Sequence, residues 1–317
     1  MELPNGSHCR LSRREVVAGT LAAGATLALA RATCAAASSL PLITKPIPST
    51  GEKLPAVGLG TDQFRADEQD AIQAEIRRMQ QLGGTVIDTA AAYGDSEDLI
   101  GEALGSGLRA RMFIATKLTL SGRGFRGDGV GGAASFERSL ARLKTSRIDL
   151  LQVHNLDGVE ELIPQLQSWK AAGKIRYYGI TTSRVAQHAQ MIEYLRKYPL
   201  DFVQVDYSLD NRDAAATLLP LAQEKRVAVL ANIPFGFGRV LGQAQSRKLP
   251  AWAADIDVTS WAQFLLKYVI SHPAVTCAIP GSTKVAHLED NQGAARGRLP
   301  DAAMRLKMEQ YWDSAAG

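Results

Sequence analysis

Cysteine is scarce in this chain, and most of it stands near the N-terminus. The 317 residues include three cysteines, of which Cys9 and Cys34 precede residue 38. If that first stretch is removed, Cys277 is left and no disulfide can form within one mature chain. Cys277 stands in the apolar run 275–279, where a cysteine is more often a small buried hydrophobe than a nucleophile. Removal of that stretch would therefore exclude a disulfide-stabilised scaffold.

Basic patches, metal-ligand clusters and long apolar segments are also missing from the sequence. Lysine and arginine total 36 against 32 acidic residues, and no basic run with interleaved aromatics follows the N-terminal stretch, which excludes nucleic acid as an expected partner. No metal-ligand spacing, Walker-type loop or serine beside a base is present, so we expect no metal. With 46% hydrophobic and 21% charged residues, the chain is typical of a globular protein with a large core.

The first 37 residues have the layout of a twin-arginine export signal. Arg13 and Arg14 precede an Ala/Gly/Leu-rich run to Ala30, and the small residues 35–37 follow. An uncleaved membrane anchor and a chance arginine pair are the alternatives, but the run has about 14 residues where a span needs about 20. We expect residues 1–37 to be a signal peptide, the export machinery to be a partner, no stable membrane span, and a periplasmic mature protein.

From about residue 42, short apolar runs alternate with longer amphipathic segments, and no linker interrupts them. Such runs, separated by segments with apolar spacing of three and four, predict right-handed parallel βα units. Eight units predict a (β/α)8 TIM barrel for residues 38–317, with a doubly wound open sheet as the alternative. A glycine turn within 42–54 predicts an N-terminal β-hairpin cap. The predicted strands are 56–61, 85–88, 112–117, 148–154, 174–180, 202–205, 227–231 and 275–279.

Polar side chains stand at or just past the predicted strand ends. Seven of the eight ends carry one directly and the eighth carries one two residues later. In a closed parallel barrel these ends meet at one mouth, where barrel enzymes keep their active sites. The residues are Thr61, Asp88, Lys117, His154, Thr181, Gln204, Asn232 and Pro280 with Ser282.

Three of the mouth residues, together with Tyr93 five residues after Asp88, suit proton transfer to a carbonyl oxygen. Asp88 ends an apolar run and needs a cationic partner, for which Lys117 is the candidate. That cation would lower the pKa of the Tyr93 phenol from its ordinary value near about 10, and His154 would serve as a neutral hydrogen-bond donor or an alternative acid. Taken singly, the four could be a structural ion pair, a satisfied histidine and a packing tyrosine. Together they predict carbonyl protonation while a nicotinamide cofactor supplies hydride.

These residues resemble the motifs of the aldo-keto reductase family. The matching segments are PAVGLGT at 55–61, IDTAAAYG at 87–94, ATK at 115–117, IDLLQVH at 148–154, and AIPGS at 278–282 running on to Asn291. The resemblance implies the barrel and NAD(P)H-dependent reduction of a small carbonyl substrate. It also implies that Tyr93 is the acid, that Lys117 and Asp88 tune it, and that His154 orients the carbonyl.

The same resemblance implies a cofactor site with departures from the family pattern. Asn232 replaces a tyrosine that commonly stacks on nicotinamide, and Phe235 or Phe237 could supply the stacking. A lysine commonly stands where Gly281 is and an arginine where His287 is. We therefore expect NADP(H) to be preferred only modestly, with NAD(H) possible. The implied cofactor residues are Gly60, Thr61, Asp88, Thr181, Thr182, Gln204, Asn232, Pro280, Gly281, Ser282, Thr283, His287 and Asn291.

The glycine-rich segment 122–127 carries a separate prediction. Residues 122–127 satisfy the dinucleotide-binding glycine pattern, but the residues after them cannot open a helix at once, so we interpret the segment as a mobile loop over the substrate mouth.

Two functions rival the reductase. A nicotinamide-binding sensor or partner-binding barrel with negligible turnover is one rival function. An aldolase that uses Lys117 as a Schiff-base nucleophile is the other. We expect a monomer.

Overall fold

The computed structural model describes residues 40–124 and 126–314. The predicted export signal lies outside the described residues. Within them, every helix is too short or too polar to cross a membrane.

Eight strands form one parallel sheet in which each strand pairs with the next along the chain. Parallel bridges also join Val57 to Ala278 and Gly60 to Gly281, so the first and last strands meet and the sheet closes. The predicted barrel is thus present and the open-sheet alternative is wrong. The strands are β3 (Leu59–Gly60), β4 (Val86–Asp88), β5 (Phe113–Leu118), β6 (Ile148–Val153), β7 (Ile175–Thr181), β8 (Phe202–Asp206), β9 (Ala228–Asn232) and β10 (Val275–Ala278).

Helices lie between successive strands and cover the outside of the barrel. In the first of them Ile72, Ile76 and Met79 are fully buried, because their spacing of four and three places them on one face. The helices are α1 (Gln69–Gln81), α2 (Ser96–Leu108), α3 (Gly132–Arg142), α4 (Val159–Ala171), α5 (His188–Lys197), α6 (Asp213–Ala216), α7 (Leu218–Glu224), α8 (Arg239–Gln245), α9 (Trp261–Ser271), α10 (Val285–Ala294) and α11 (Ala302–Ser314).

The core has an inner cluster within the barrel and a larger cluster that contacts the helices. Phe113 and Ala115 of β5 belong to the inner cluster, and Leu150 of β6 does as well. Since side chains two apart on a strand share a face, Lys117 continues the inward column of β5 toward the mouth. The active-site candidates are therefore the upper layer of the same inward-facing columns that fill the barrel.

The predicted hairpin is present as β1 (Thr44–Pro46) and β2 (Lys53–Pro55), paired antiparallel. Ile47 and Leu54 belong to the inner cluster, and Lys45 Nζ donates to the carbonyl of Val275 at 2.7 Å. A role as a cap stays a prediction.

Candidate active site

Three neighbouring strands bring the predicted catalytic residues to one end of the barrel. Asp88 is the last residue of β4, Lys117 lies one residue before the end of β5, and His154 directly follows β6. The parallel register places Asp88 beside Ala115 and Lys117 beside Gln152. Because neighbouring inward-facing residues of parallel strands are close, these side chains meet as predicted.

Asp88 and Lys117 form a buried ion pair. Lys117 Nζ donates to Asp88 Oδ2 at 2.5 Å and to the carbonyl of Thr89 at 2.8 Å, while Gln204 Nε2 donates to Asp88 Oδ1 at 2.7 Å. Burial raises the pKa of the Asp88 carboxyl above its usual range, and Lys117 and Gln204 reduce that rise without reversing it. Burial alone would lower the pKa of Lys117, but Asp88 and Tyr93 together outweigh that effect and raise it. Lys117 is therefore a fixed cation.

Tyr93 lies beside this pair on the turn after β4. Its ring centre is 5.0 Å from Lys117 Nζ and 5.7 Å from the ring centre of His154, with the two rings nearly perpendicular at 80°. Burial raises the pKa of the phenol, and Lys117 opposes this effect without reversing it. The prediction that Lys117 brings the pKa of Tyr93 below its ordinary value is therefore wrong here. Desolvation destabilises the phenolate by more than the charge of Lys117 stabilises it. Tyr93 stays protonated at neutral pH.

His154 is neutral in this environment. Burial, and then the nearby Lys117 charge, lower the pKa of its imidazole to about 3. Its Nδ1 is buried and has no hydrogen-bond partner among the described residues. Of the two roles predicted for His154, the structure favours the neutral hydrogen-bonding group over the acid.

A chain of hydroxyls behind Asp88 was not predicted from the sequence. Thr61 Oγ1 donates to the carbonyl of Asp88 at 3.0 Å, and Ser96 Oγ donates to Thr61 Oγ1 at 2.8 Å. Thr89 Oγ1 lies 3.0 Å from Ser96 Oγ, and all three side chains are buried. Ser96 is the first residue of α2, and no spacing in the sequence identifies its role. These hydrogen-bonded hydroxyl groups fix the turn, between β4 and α2, that carries Tyr93.

The predicted nicotinamide residues after β7 and β9 share one hydrogen-bonded group. Thr182 Oγ1 donates to Gln187 Oε1 at 2.6 Å, so this hydroxyl is hydrogen-bonded within its own loop. Asn232 Nδ2 donates to the carbonyl of Thr182 at 3.0 Å, whereas Asn232 Oδ1 is buried without a partner among the described residues. Thr181 Oγ1 accepts the backbone N–H of Asn155 at 3.1 Å. The open acceptor of Asn232 fits the amide donor of a nicotinamide carboxamide.

The two phenylalanines considered for stacking differ in their surroundings. Phe235 packs against the larger core cluster. Phe237 is 81% exposed and has a φ of 56°, between Gly236 and Gly238. Phe237 is thus the aromatic side chain that remains open to a ligand in this loop.

The segment predicted to hold the adenosine phosphate follows β10 and continues into α10. Ser282 is buried, and its Oγ accepts the N–H of Lys284 at 3.2 Å. Gly281 is exposed, and a Cβ there would lie 3.3 Å from Asp62 Oδ1. Gly60 permits close backbone approach, because a Cβ there would lie 2.9 Å from the carbonyl of Ile279. The other members of this segment are Pro280 and Asn291, which are buried, Thr283, which is half-buried, and His287, which is exposed.

The glycine-rich loop lies against the active-site turn. The N–H of Arg126 donates to the carbonyl of Ala92 at 3.0 Å, and a Cβ on Gly124 would come within 2.4 Å of Ala92 Cβ. As the sequence predicts, no helix begins directly after residue 127; the next helix, α3, begins at Gly132. The mobility of the glycine-rich loop stays a prediction.

Known proteins provide an independent test of the family. Residues 56–309 match the aldo/keto reductase family, and the chain belongs to it. Methylglyoxal reductase YeaE of Escherichia coli is 31% identical over 265 residues, covering 81% of this chain and 91% of that protein. An aldo-keto reductase structure from Klebsiella pneumoniae in complex with NADPH has a TM-score of 0.72 at 27% identity, covering 86% of this chain and 96% of its own. Another from that organism, with NADP and acetate, has a TM-score of 0.70 at 28% identity and covers 83% and 93%.

Proposed function

We propose that this protein reduces aldehydes or ketones to alcohols with NADPH, using Tyr93 as the proton donor. The observation that carries the proposal is the buried Asp88–Lys117 pair beside a protonated Tyr93 and a neutral His154. Family membership supports an NADP-dependent oxidoreductase. The geometry of Asp88, Lys117, Tyr93 and His154 supports the roles that the family motifs imply for them.

Each catalytic residue has a distinct role in the proposed reaction. The chemistry that NADPH would supply when bound is hydride for the carbonyl carbon. Tyr93 donates its proton to the carbonyl oxygen, which becomes basic enough to take it as negative charge develops there. His154 orients that oxygen by a hydrogen bond from its neutral ring. The fixed charge of Lys117 stabilises the tyrosinate that remains, which then regains a proton from solvent.

The cofactor would be held at both ends by residues of this chain. Asn232 and Thr181 would contact the carboxamide end, and Ser282, Thr283 and the free amides of α10 would receive the adenosine phosphate. The relatives solved with NADPH and with NADP support a preference for the phosphorylated nucleotide.

The Schiff-base aldolase is disfavoured by the surroundings of Lys117. Its Nζ is 2.5 Å from Asp88 Oδ2, the side chain is 1% exposed, and its pKa is raised. A nucleophilic lysine needs the neutral amine, which requires a lowered pKa. Borohydride trapping with a carbonyl compound should therefore leave Lys117 unmodified.

A carbonyl panel tests the reductase against the non-catalytic sensor. NADPH oxidation should depend on added aldehyde or ketone, and methylglyoxal is included because a relative carries that name. NADPH binding without oxidation by any member of the panel would favour the sensor.

We also propose that residues 1–37 direct export of the folded, cofactor-loaded protein to the periplasm. Support comes from the sequence pattern and from the difficulty of collecting NADPH where none is made. Replacing Arg13 and Arg14 by lysine should leave the protein in the cytoplasm with its leader attached, and unchanged export would contradict the route.

We also propose that the protein is a monomer, which size-exclusion chromatography tests. A capping role for the hairpin is proposed as well, and it is supported by Ile47 and Leu54 in the inner cluster.

A further inference from the structure

Glu75 is a buried carboxylate without a hydrogen-bond partner. It lies on α1 between the core residues Ile72 and Met79, and it is 0% exposed. Neither Oε1 nor Oε2 has a partner among the described residues. Because an unpaired buried charge is costly, such a group calls for a functional or structural explanation.

The Ser282 hydroxyl is the polar side chain that acts on Glu75, although it completes no hydrogen bond to either carboxyl oxygen in this structure. Burial raises the pKa of Glu75 to about 7, the Ser282 hydroxyl lowers it in part, and the charge of Glu68 raises it further. Ser282 Oγ donates its hydrogen to the carbonyl of Lys284 at 3.1 Å, just before α10 begins. The ion pair between Arg78 and Glu289 joins α1 to α10, so Glu75 lies on the helix that packs behind the residue proposed to receive the adenosine phosphate.

Other charges around α1 have partners of their own. Arg78, one turn further along, is bound to Glu289 of α10 at 2.6 Å. Glu97 of α2 accepts from Thr116 at 2.6 Å and faces Arg142 at 3.6 Å. The remaining charged or titratable side chains near the start of α10 are Lys284 and His287, which are exposed, Asp290, which accepts from Ser260 and Gln263, and Asp62 beside Gly281.

We propose that Glu75 is a proton-linked positioning residue of the cofactor site, which takes up a proton when Ser282 binds the 2′-phosphate of NADPH. This inference rests on the proposed function. A protonated Glu75 would donate to Ser282 Oγ, and the Ser282 hydrogen would then turn from the carbonyl of Lys284 to a phosphate oxygen. An ionised Glu75 would compete for that hydrogen and place a negative charge behind the phosphate.

Discrimination between the two nucleotides should therefore depend on pH. Binding of NADPH should weaken relative to NADH as pH rises through neutrality, because NADH has no 2′-phosphate to repel. One linked proton changes the ratio of dissociation constants by at most about tenfold per pH unit. The phosphate itself ionises near about pH 6, and that effect favours NADPH at higher pH. The two effects have opposite signs and can be separated.

The test measures dissociation constants for NADPH and NADH by quenching of tryptophan fluorescence between pH 6 and 8.5. Three proteins are compared: the unaltered chain, Glu75→Gln, and Asp70→Asn as a control that removes an exposed charge from the same helix. Calorimetry of NADPH binding in two buffers of different ionisation enthalpy counts the protons taken up.

In the unaltered chain the preference for NADPH should fall by about tenfold over this range, with proton uptake on binding. In Glu75→Gln the preference for NADPH should no longer fall with pH, and the proton uptake attributable to Glu75 should be absent. In Asp70→Asn both the fall in preference and the proton uptake should remain. An unchanged pH dependence in a folded Glu75→Gln protein would overturn the inference while leaving NADPH binding intact. Failure of NADPH to bind the unaltered chain at any pH would instead overturn the proposed cofactor.

Discussion

Two buried carboxylates, Asp88 at the catalytic end and Glu75 behind the cofactor-phosphate segment, have opposite surroundings. Asp88 is 3% exposed and receives hydrogen bonds from Lys117 and Gln204, whereas Glu75 is 0% exposed and receives none within the described residues. Hydrogen bonds from Lys117 and Gln204 therefore hold the Asp88 carboxyl in one geometry. Burial raises the pKa of the unpaired Glu75 to about 7, so this carboxyl is able to change its charge near neutral pH.

The largest expected effect comes from breaking the paired carboxylate. Lys117→Met should reduce the reductase rate by about 10² to 10⁴-fold, because the cation that stabilises the tyrosinate is lost. It should also lower the free energy of unfolding by about 3 to 5 kcal/mol, because Asp88 is left buried and charged. Urea unfolding and steady-state kinetics measure the two effects.

A double variant separates stability from catalysis. Adding Asp88→Asn to Lys117→Met should recover much of the lost stability without recovering activity. Recovery of the rate along with stability would show that the pair acts only through folding.

Removing the unpaired carboxylate should have the opposite effect on stability. The pKa of Glu75 is about 7 in the folded chain and 4.5 ordinarily, so the folded state binds more protons between these values. Stability should therefore fall as pH rises from 4.5 to 7 and stay reduced above that, by about 3 kcal/mol. Glu75→Gln should remove this loss, as urea unfolding at pH 5 and pH 8.5 would show. An Asp70→Asn control should leave the pH dependence in place.

A smaller effect is expected in the choice of nucleotide. At pH 7 the dissociation constant for NADPH should be lower than that for NADH by about tenfold, because Ser282, Thr283 and the α10 N-terminus offer dipoles without an arginine or lysine at positions 281 and 287. Equal constants, or tighter NADH, would contradict this account of the phosphate segment.

The smallest effect concerns His154. Because its pKa is lowered to about 3, its ring should stay neutral from pH 5 to 8 and contribute no step to the pH profile of kcat/KM. His154→Gln should lower the rate without changing the shape of that profile. A limb with a pKa between 5 and 8 that disappears in His154→Gln would identify His154 as the acid instead.

The catalytic end could be predicted because strand geometry is regular. A charge at the end of an apolar strand must face a partner, and neighbouring strand ends in a parallel barrel meet, so Asp88 and Lys117 follow from spacing alone. The first strand is shorter than predicted, Leu59–Gly60 rather than 56–61, because Val57 pairs with Ala278 only as an isolated bridge.

The sign of the Tyr93 pKa shift and the state of Glu75 could not be predicted in the same way. The pKa of Tyr93 depends on how completely the phenol is desolvated, which spacing does not show. Glu75 stands among Ile72, Ile76 and Met79 on one helix face, so a carboxylate in the apolar stripe was a visible signal. Its lack of a partner depends on how α1 packs, and only the structure shows that.

The most direct test of the central claim is the rate and cofactor affinity of Tyr93→Phe. If Tyr93 is the proton donor, this variant should bind NADPH with an unchanged dissociation constant and lose carbonyl reduction by about 10² to 10⁴-fold, because only the phenolic hydroxyl is removed. Full reductase activity in Tyr93→Phe would contradict the assignment.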